Sequence, residues 1–215
     1  MVVLTHMTTS TTTAASAEQF LTAVRHRRSI YGISKEKAIS NSRVQQIVEE
    51  AVKHSPSAFN SQSARVLVLF DKHSDKLWEL TTEILRAKTG GGDSFKATED
   101  RMKGFSAGYG TVLFFEDQTV VEELKSKFPS YAAAFEPYSY QSSGMLQYIV
   151  WTALEQEGLG ASLQHYQPLI DEAVQKEWSI PATWKLLAQM PFGKQVMQPN
   201  EKEYEPLEKR VKVFE

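Results

Sequence analysis

Two arginines and a serine stand together near the start of the chain, at Arg27, Arg28 and Ser29. Guanidinium groups form forked, charge-assisted hydrogen bonds to a phosphate, and a neighbouring hydroxyl adds another donor. The triplet therefore fits a local anion-binding site. The alternative interpretation is a basic helix end that is simply solvated, and the triplet by itself does not decide between the two.

A second candidate is the polar segment SPSAFNSQSAR, residues 55–65. Serine, asparagine and glutamine follow a proline at short spacing, so their amide and hydroxyl groups could bind the polar edge of a heterocycle. The alternative is an ordinary helix-to-strand turn, which favours the same residue types.

Two further segments complete the candidates. In EGLGASLQHY, residues 157–166, two glycines would let the backbone approach a flat ligand closely, or would simply end a helix. In EKRVKVF, residues 208–214, Lys209, Arg210 and Lys212 would add a second charge for a phosphate, or would form a solvated tail. Each of the four segments is a weak signal when taken alone.

The composition argues against several classes of function. The formal net charge of −2 gives no basic field that would attract nucleic acid or an anionic membrane, so anion binding has to be local. No cysteine is present, which removes thiolate catalysis and cysteine-ligated metals, and the five histidines form no i,i+4 pair. Neither a metal site nor a G-x-S-x-G hydrolase elbow is predicted. An enzyme of this composition would depend on a bound organic cofactor.

Hydrophobic spacing predicts the elements that carry these segments. Helices are predicted over residues 42–54, 74–88, 143–160 and 168–178, and strands over residues 65–70, 110–116, 161–166 and 185–193. Their order lacks βαβ repetition and indicates an α+β layered fold. The helix at 143–160 is apolar on almost every side, so we expect it to be buried on most faces, in the core of a monomer or of a dimer.

The first residues differ in composition from the rest of the chain. Residues 1–17 are rich in threonine and serine and contain no acidic residue. They are predicted to form a disordered or non-native tail; a transit peptide is the alternative, although the segment has no arginine. Residues 18–215 are then expected to form one domain. No apolar run approaches the roughly 20 residues that a membrane span needs.

The order of the four segments is more specific than any one of them. Arg-Arg-Ser, Pro-Ser-x-x-Asn-x-Gln, Gly-Leu-Gly before a short strand and a basic C-terminal segment follow one another as in nitroreductase-family flavoproteins. The longer strings AGYGTVLFFED, SSGMLQYIVWTALEQEGLGASLQHY and MPFGKQ resemble a short branch of that family. This branch occurs in fungi and some bacteria and includes the yeast fatty-acid-repression type. The resemblance covers about residues 18–215.

The resemblance implies an α+β sandwich, with a central, mostly antiparallel sheet flanked by helices. It also implies an intertwined homodimer with two FMN sites at the subunit interface. One subunit would hold the FMN phosphate and ribityl chain with Arg27, Arg28 and Ser29. The other subunit would contribute Pro56, Ser57, Ala58 and Asn60, with Gln62 nearby.

Two later segments are also implied to contact the flavin. Backbone N–H groups near flavin N5 would come from Ser162, Leu163, Gln164 and His165. Arg210 would make the second phosphate contact, with Lys209 as the alternative. Many family members carry a lysine or arginine where this chain has Tyr31, and a cation there stabilises the reduced, anionic flavin. Lys103 is a candidate replacement for that cation.

The implied activity passes reducing equivalents from NADH or NADPH, a transient donor, to electron-poor nitroaromatic or quinone compounds. The two half-reactions would share one pocket, and the flavin would carry the chemistry, so no acid–base triad is expected. A cytoplasmic location is expected, or a nuclear one in a eukaryotic host. Two other hypotheses stay open: a flavin-binding regulatory or stress-response protein with incidental reductase activity, and a flavin-free interaction module. The four co-ordered motifs argue against the module.

Overall fold

The computed structural model describes residues 17–215. The predicted tail at residues 1–17 lies outside this part of the chain, apart from Ala17, the first residue of a helix. Seven α-helices occur within the described residues: α1 (Ala17–His26), α2 (Asn41–His54), α3 (Lys72–Thr89), α4 (Lys96–Ser106), α5 (Gln118–Lys127), α6 (Ala132–Gln156) and α7 (Asp171–Trp178). The same residues contain five strands: β1 (Ile33–Ser34), β2 (Ala64–Phe70), β3 (Gly110–Asp117), β4 (Leu159–Ala161) and β5 (Trp184–Gln195).

The strands form one sheet in which every pairing is antiparallel. The strand order is β1-β5-β3-β2, and β4 pairs with β5 as well. Helices α2 and α6 pack on one face of the sheet, and α3, α4 and α7 pack on the other. The predicted α+β fold, with a mostly antiparallel sheet flanked by helices, is therefore confirmed.

Strand β3 lies at the centre of the fold and separates two hydrophobic cores. Its successive side chains alternate between the faces of the sheet. Val112 and Phe114 join the core beneath α2 and α6, and Leu113 and Phe115 join the core beneath α3, α4 and α7. Glu116, the next residue, is fully buried as well. A carboxyl group thus occupies a position where the strand pattern calls for an apolar side chain.

Helix α6 extends further towards its N-terminus than the sequence predicts. It begins at Ala132 rather than at residue 143, and Pro137 lies within it. It ends at Gln156, four residues before the predicted end, because Gly158 takes the left-handed φ of 81° that commonly terminates a helix.

One face of α6 has no cover in the single chain. Leu146 and Val150 point into the core, whereas Met145 and Ile149 are 41% and 37% exposed. Most residues of the helix between 143 and 157 are buried or half-buried in the single chain, as expected, and the uncovered face is the exception. Neither α6 nor any other helix within residues 17–215 combines the length and apolar character needed to cross a membrane.

The remaining differences arise where few apolar residues mark an element. Helices α1, α4 and α5 are not predicted from the sequence, and α5 buries Val121 alone, too little to show a helical period. The predicted strand at residues 161–166 is mostly loop, because β4 ends at Ala161 and only Gln164 bridges further on, to Gln189. The other predicted helices and strands are present, with ends that differ by three residues or fewer.

The C-terminal segment, residues 201–215, lies on the outside of the molecule. Every residue in it is exposed, and a short 3-10 turn at Leu207–Lys209 is its one helical element. Large apolar side chains share this exposure, with Leu207 at 69%, Val211 at 58% and Phe214 at 91%. The segment is therefore not packed against the core of its own chain.

Candidate functional site

The arginine segment, residues 27–29, follows α1 and lies against the C-terminal half of α6. The backbone N–H of Arg28 donates to both carboxylate oxygens of Glu155, at 3.0 and 2.9 Å. Two residues later, the N–H of Ile30 donates to the carbonyl of Ala161 at 2.9 Å, and the Ile30 side chain is buried. The segment is thus fixed through its backbone, which leaves its side chains available for other contacts.

Aromatic rings of α6 hold Arg27. Its guanidinium carbon lies 4.3 Å from the centre of the Trp151 ring and 5.8 Å from the centre of the Tyr148 ring. Trp151 donates its indole N–H to the Ala161 carbonyl at 3.2 Å, which fixes the ring. Trp151 and Glu155 are four residues apart, so they share one face of the helix and hold adjacent arginines. The buried Nε of Arg27 has no hydrogen-bond partner within residues 17–215.

The arginine segment opens into a cavity of about 580 Å³, the arginine cavity. Four of the predicted residues line it: Arg27, Arg28, Ser29 and Tyr31. The opposite wall consists of residues 197–202, which were not predicted from the sequence because they carry no recognisable motif. This wall is fixed in place because the Arg28 guanidinium donates to the carbonyl of Asn200. Met197 also packs so closely on Gly32 that a Cβ atom on the glycine would lie 2.5 Å from the Met197 Cβ.

One carboxylate lines the arginine cavity, and another, Glu155, lies behind the arginine segment. Partial burial raises the pKa of Glu155, and the Arg28 N–H and the charge of Arg27 oppose that rise. Glu201 lines the cavity beside Lys202. An anion in this cavity would therefore meet a few fixed donors rather than a large excess of positive charge.

The polar loop, residues 56–62, lies apart from the arginine cavity. Three predicted residues line a separate cavity of about 230 Å³, the serine cavity: Pro56, Ser57 and Gln62. Ala58 and Asn60 lie in the short 3-10 turn between them. The buried Ser55 Oγ, at the edge of this cavity, has no hydrogen-bond partner in the described part of the chain. The arginine cavity and the serine cavity have no lining residue in common.

Helix α6 connects the two cavities. Ser142 lines the serine cavity, and Trp151 contacts the arginine segment. Nine residues of helix correspond to about 14 Å along its axis. One chain therefore places two separate groups of predicted ligand-binding residues against different parts of a single helix.

The polar loop has an unusual backbone. Phe59, Asn60 and Gln62 have φ angles of 57°, 51° and 51°, in the left-handed region that residues other than glycine rarely adopt. The ring of Phe59 is 57% exposed and contacts Phe128 and Phe135, with centroids 4.9 and 5.5 Å apart. This aromatic cluster was not predicted, although a phenylalanine inside an otherwise polar motif was a signal for it. Such backbone strain clusters at functional sites.

Two of the four backbone N–H groups predicted to face the flavin, in residues 162–165, are already paired within the chain. The N–H groups of Ser162 and Gln164 already donate to the carbonyls of Pro191 and Gln189 in β5, at 3.3 and 2.7 Å. They are therefore not available to a ligand. Leu163 packs against the core beneath α6, and His165 is exposed. Of these four residues, only Leu163 and His165 have N–H groups without a hydrogen-bond acceptor within residues 17–215.

Three predicted cations lie away from the arginine cavity in the single chain. Lys103 is on α4, 3.8 Å from Glu99 and 3.7 Å from Asp100, and lines a groove between α3 and α4. Lys209 and Arg210 are exposed at the short turn of the C-terminal segment and line neither cavity. The structure thus brings together Arg27, Arg28, Ser29 and Tyr31, and separates them from these cations and from the polar loop.

Comparison with known proteins agrees with this architecture. In Saccharomyces cerevisiae, HBN1 is 35% identical over 187 residues, which are 86% of this chain and 92% of HBN1, and is described as a nitroreductase. The nitroreductase FRM2 of the same yeast is 31% identical over the same shares of the two chains. These relatives belong to the fungal branch that the longer sequence strings indicated.

Solved structures of the same type share the fold. The nitroreductase CinD from Lactococcus lactis, in complex with nicotinic acid, is 43% identical and has a TM-score of 0.85, over 91% of this chain and all of CinD. CinD was also solved with 4-nitrophenol. A nitroreductase-type protein from Desulfovibrio desulfuricans, solved with FMN, shares the fold at 20% identity, with a TM-score of 0.64, over 89% of this chain and 94% of that one.

The family assignment follows from the extent of the match. The nitroreductase family profile matches residues 24–194, a span that includes the arginine segment, the polar loop and all five strands up to Lys194. The relatives agree over a similar length. The chain belongs to the nitroreductase family, and its activity class is that of an oxidoreductase.

Proposed function

We propose that the protein is an FMN-dependent oxidoreductase that takes hydride from NADH or NADPH and reduces nitroaromatic or quinone compounds. The observation that carries this proposal is the arginine cavity, where Arg27, Arg28 and Ser29 face one space and are fixed by α6. Family membership supports the same chemistry, because CinD structures contain nicotinic acid, which resembles the nicotinamide ring, and 4-nitrophenol, a nitroaromatic compound.

The residues of the arginine cavity fit the phosphate of FMN. The buried Nε of Arg27 has no partner among the described residues, so this arginine retains hydrogen-bonding capacity. Arg28 is anchored through its backbone, and its planar side chain matches a phosphate in a forked arrangement. The Ser29 hydroxyl adds a further donor at the same wall.

We also propose a homodimer in which the arginine segment of one chain meets the polar loop of the other. Three features of the single chain support it. The two groups of residues lie in separate cavities, Met145 and Ile149 leave α6 with an uncovered apolar face, and the C-terminal segment is exposed at every residue. In this assembly Arg210 or Lys209 would reach a phosphate that the single chain does not bring near them.

The protein's part in catalysis is positioning. Bound FMN would supply the hydride-transfer chemistry. The arginine segment would fix the phosphate, and the N–H groups of Leu163 and His165 would be the remaining backbone donors for the flavin edge. Phe59, packed on Phe128 and on the buried Phe135, would give flat acceptors an aromatic surface beside the polar loop. Tyr31, in place of a cation, would leave the reduced flavin less stabilised than in relatives with lysine or arginine there.

An absorption spectrum of the purified protein tests the cofactor. We expect a yellow protein, or an apoprotein that becomes yellow with added FMN. Anaerobic titration with NADH and NADPH should bleach the flavin band, and addition of 4-nitrophenol or a benzoquinone should restore it. A protein that stays colourless with FMN would contradict the proposal. Bound flavin that neither nucleotide reduces would instead favour the regulatory flavin-binding role.

Light scattering on a sizing column tests the assembly, and a monomer that binds FMN at full affinity would contradict the shared site.

The predicted second phosphate cation is tested by comparing Arg210→Ala with Lys209→Ala. Weaker FMN binding in one of the two variants would identify which residue reaches the phosphate. A cytoplasmic location stays a prediction.

A further inference from the structure

The strained backbone of the polar loop needs an external constraint. Phe59, Asn60 and Gln62 all adopt left-handed φ angles without being glycine. This conformation is unfavourable for L-residues because the Cβ atom approaches the backbone oxygen. It persists only where the surrounding structure over-determines it. The groups that hold the loop are therefore part of any site built on it.

The constraint lies at the C-terminal end of the loop. Ser57 Oγ accepts from the Gln62 N–H at 3.0 Å, and Arg65 Nη1 donates to the Gln62 carbonyl at 2.9 Å. Ser63 is next in the chain and almost completely buried. Its carbonyl accepts from the Asp117 N–H at 2.9 Å, and its hydroxyl donates to Oε2 of Glu116. Strand β3 thus holds the chain through these two hydrogen bonds to Ser63, immediately after the last left-handed residue.

Glu116 is an unusual residue to find at this place. Its side chain is fully buried, and Oε1 has no hydrogen-bond partner within residues 17–215. Among these residues no cation is paired with it: Arg65 on β2 forms its ion pair with Asp117, at 3.0 Å. Lys185, opposite Glu116 on β5, donates to Glu136 and Tyr140 of α6.

Burying a carboxyl group that has no cationic partner costs free energy, so we expect this residue to have a specific role. Burial raises the pKa of Glu116 to about 7, although the Ser63 hydroxyl and the charge of Arg65 lower it and the charge of Asp117 adds to the rise. Near neutral pH the carboxyl group therefore exists in both protonation states. Because burial outweighs the hydrogen bond from Ser63, the conformation that buries Glu116 favours the protonated form, and ionisation weakens it.

We propose that Glu116 is a positioning residue that holds the polar loop, through Ser63, in the left-handed conformation that binds the flavin. Glu116 touches no ligand and acts only through Ser63 and the backbone that follows Gln62. This inference rests on the proposed FMN site at the loop. It adds a residue that no sequence motif indicated and a dependence of the site on pH.

The test compares four variants of the full chain with the wild type, all as apoprotein. Glu116→Ala and Ser63→Ala break the contact, and Glu116→Gln keeps an acceptor without the charge. Ser74→Ala is the matched control, because Ser74 is also a buried serine whose hydroxyl pairs with a β3 side chain, Thr111 Oγ1, at 2.7 Å. The control contact lies on the opposite side of the sheet from the loop.

Hydrogen exchange of residues 57–63 in the apoprotein reports on the loop without any cofactor. We expect Glu116→Ala and Ser63→Ala to accelerate this exchange at least tenfold and to weaken FMN binding about tenfold. Glu116→Gln should keep most of both properties. Between pH 6 and pH 8, FMN affinity in the wild type should fall relative to that in Glu116→Gln, because ionisation of Glu116 disfavours the conformation that buries it. Comparing the wild type with Glu116→Gln cancels the effect of the FMN phosphate, because the phosphate titrates in the same way with both proteins.

Two results would overturn the proposal. In the first, Ser63→Ala and Ser74→Ala have the same loop exchange, the same FMN affinity and similar losses of thermal stability. Glu116 would then contribute only to general stability. The other is the same pH profile in Glu116→Gln and wild type. If the wild type fails to bind FMN, the proposed function fails, whereas the exchange data still decide whether Glu116 holds the loop. If Glu116→Ala does not fold, Ser63→Ala decides the same question, because it removes the other partner of the contact.

Discussion

The arginine segment and the polar loop are built in opposite ways. The arginine segment is fixed by α6 from outside, through Glu155 and Trp151, and has no left-handed residue. The polar loop has three left-handed residues, and a buried acid beneath it helps to hold them. One region therefore depends on charge and stacking at the surface, and the other on a strained backbone that a buried contact restrains.

This difference teaches where each region can be weakened. Changes in the arginine segment should alter ligand affinity and leave the fold intact, because its side chains are partly exposed. Changes beneath the polar loop should alter stability and its dependence on pH, because Glu116 and Ser63 are buried. Four expected outcomes separate the two behaviours.

The largest effect concerns the acid beneath the polar loop. The pKa of Glu116 is raised from 4.5 to about 7 by burial, so the folded protein binds more protons than the unfolded chain between these values. The free energy of unfolding should therefore fall by about 3 kcal/mol as the pH rises from about 4.5 to 7. Urea unfolding of the apoprotein at pH 5 and pH 8 measures this. Glu116→Gln should lack this component, and an equal pH dependence in both proteins would contradict the assignment.

The next effect tests the arginine segment directly. Arg28→Ala should weaken FMN binding roughly 10- to 100-fold, as expected for the loss of charge-assisted hydrogen bonds. Arg25→Ala is the control, because Arg25 is exposed on α1 and pairs with Glu18. Its FMN dissociation constant should stay within about twofold of the wild type. Fluorescence titration of the apoprotein measures both, and equal losses would place the phosphate elsewhere.

A smaller effect concerns the support of the same segment. Glu155→Ala leaves the partly buried Arg28 N–H without an acceptor and should lower the free energy of unfolding by about 1–2 kcal/mol. Glu157→Ala breaks an ion pair with Arg43 near the end of the same helix and should cost less than about 1 kcal/mol. Urea unfolding of the two variants compares them. A larger loss in Glu157→Ala would mean that Glu155 does not anchor the segment.

The smallest effect concerns backbone strain in the polar loop. Gln62→Gly should raise the free energy of unfolding by less than about 1 kcal/mol, because glycine adopts a positive φ freely. Ser61→Gly is the matched control next to it, where φ is −65°, and should destabilise by about 0.5–1 kcal/mol. Thermal unfolding of the two apoproteins measures the difference. Equal destabilisation would show that Gln62 is not strained.

Much of the fold and half of the site could be predicted from the sequence. Helix α2 was predictable because its apolar residues repeat with the helical period, and strand β3 because it is a short continuous apolar run. The residues Arg27, Arg28 and Ser29 were identifiable because their chemistry is visible in three consecutive letters. These features depend on residues that are close together in the chain, so the sequence shows them directly.

Contacts between distant residues could not be predicted. Glu155 meets Arg28 across 127 positions, and Ser63 meets Glu116 across 53, and no local pattern links them. The predicted N–H donors of Ser162 and Gln164 were lost because the register of the 162–165 segment against β5 decides which groups are already paired. The separation of the arginine cavity from the polar loop likewise depends on the path of α6 through the fold.

That path has a consequence at the level of the gene. In the proposed dimer, every complete site takes its arginine segment from one polypeptide and its polar loop from the other, because α6 keeps the two apart within each chain. Two alleles, one disabled at Arg28 and one at the polar loop, would each encode an inactive protein. When both are expressed in one cell, mixed dimers would contain one doubly damaged site and one wholly intact site. The two defects would complement each other.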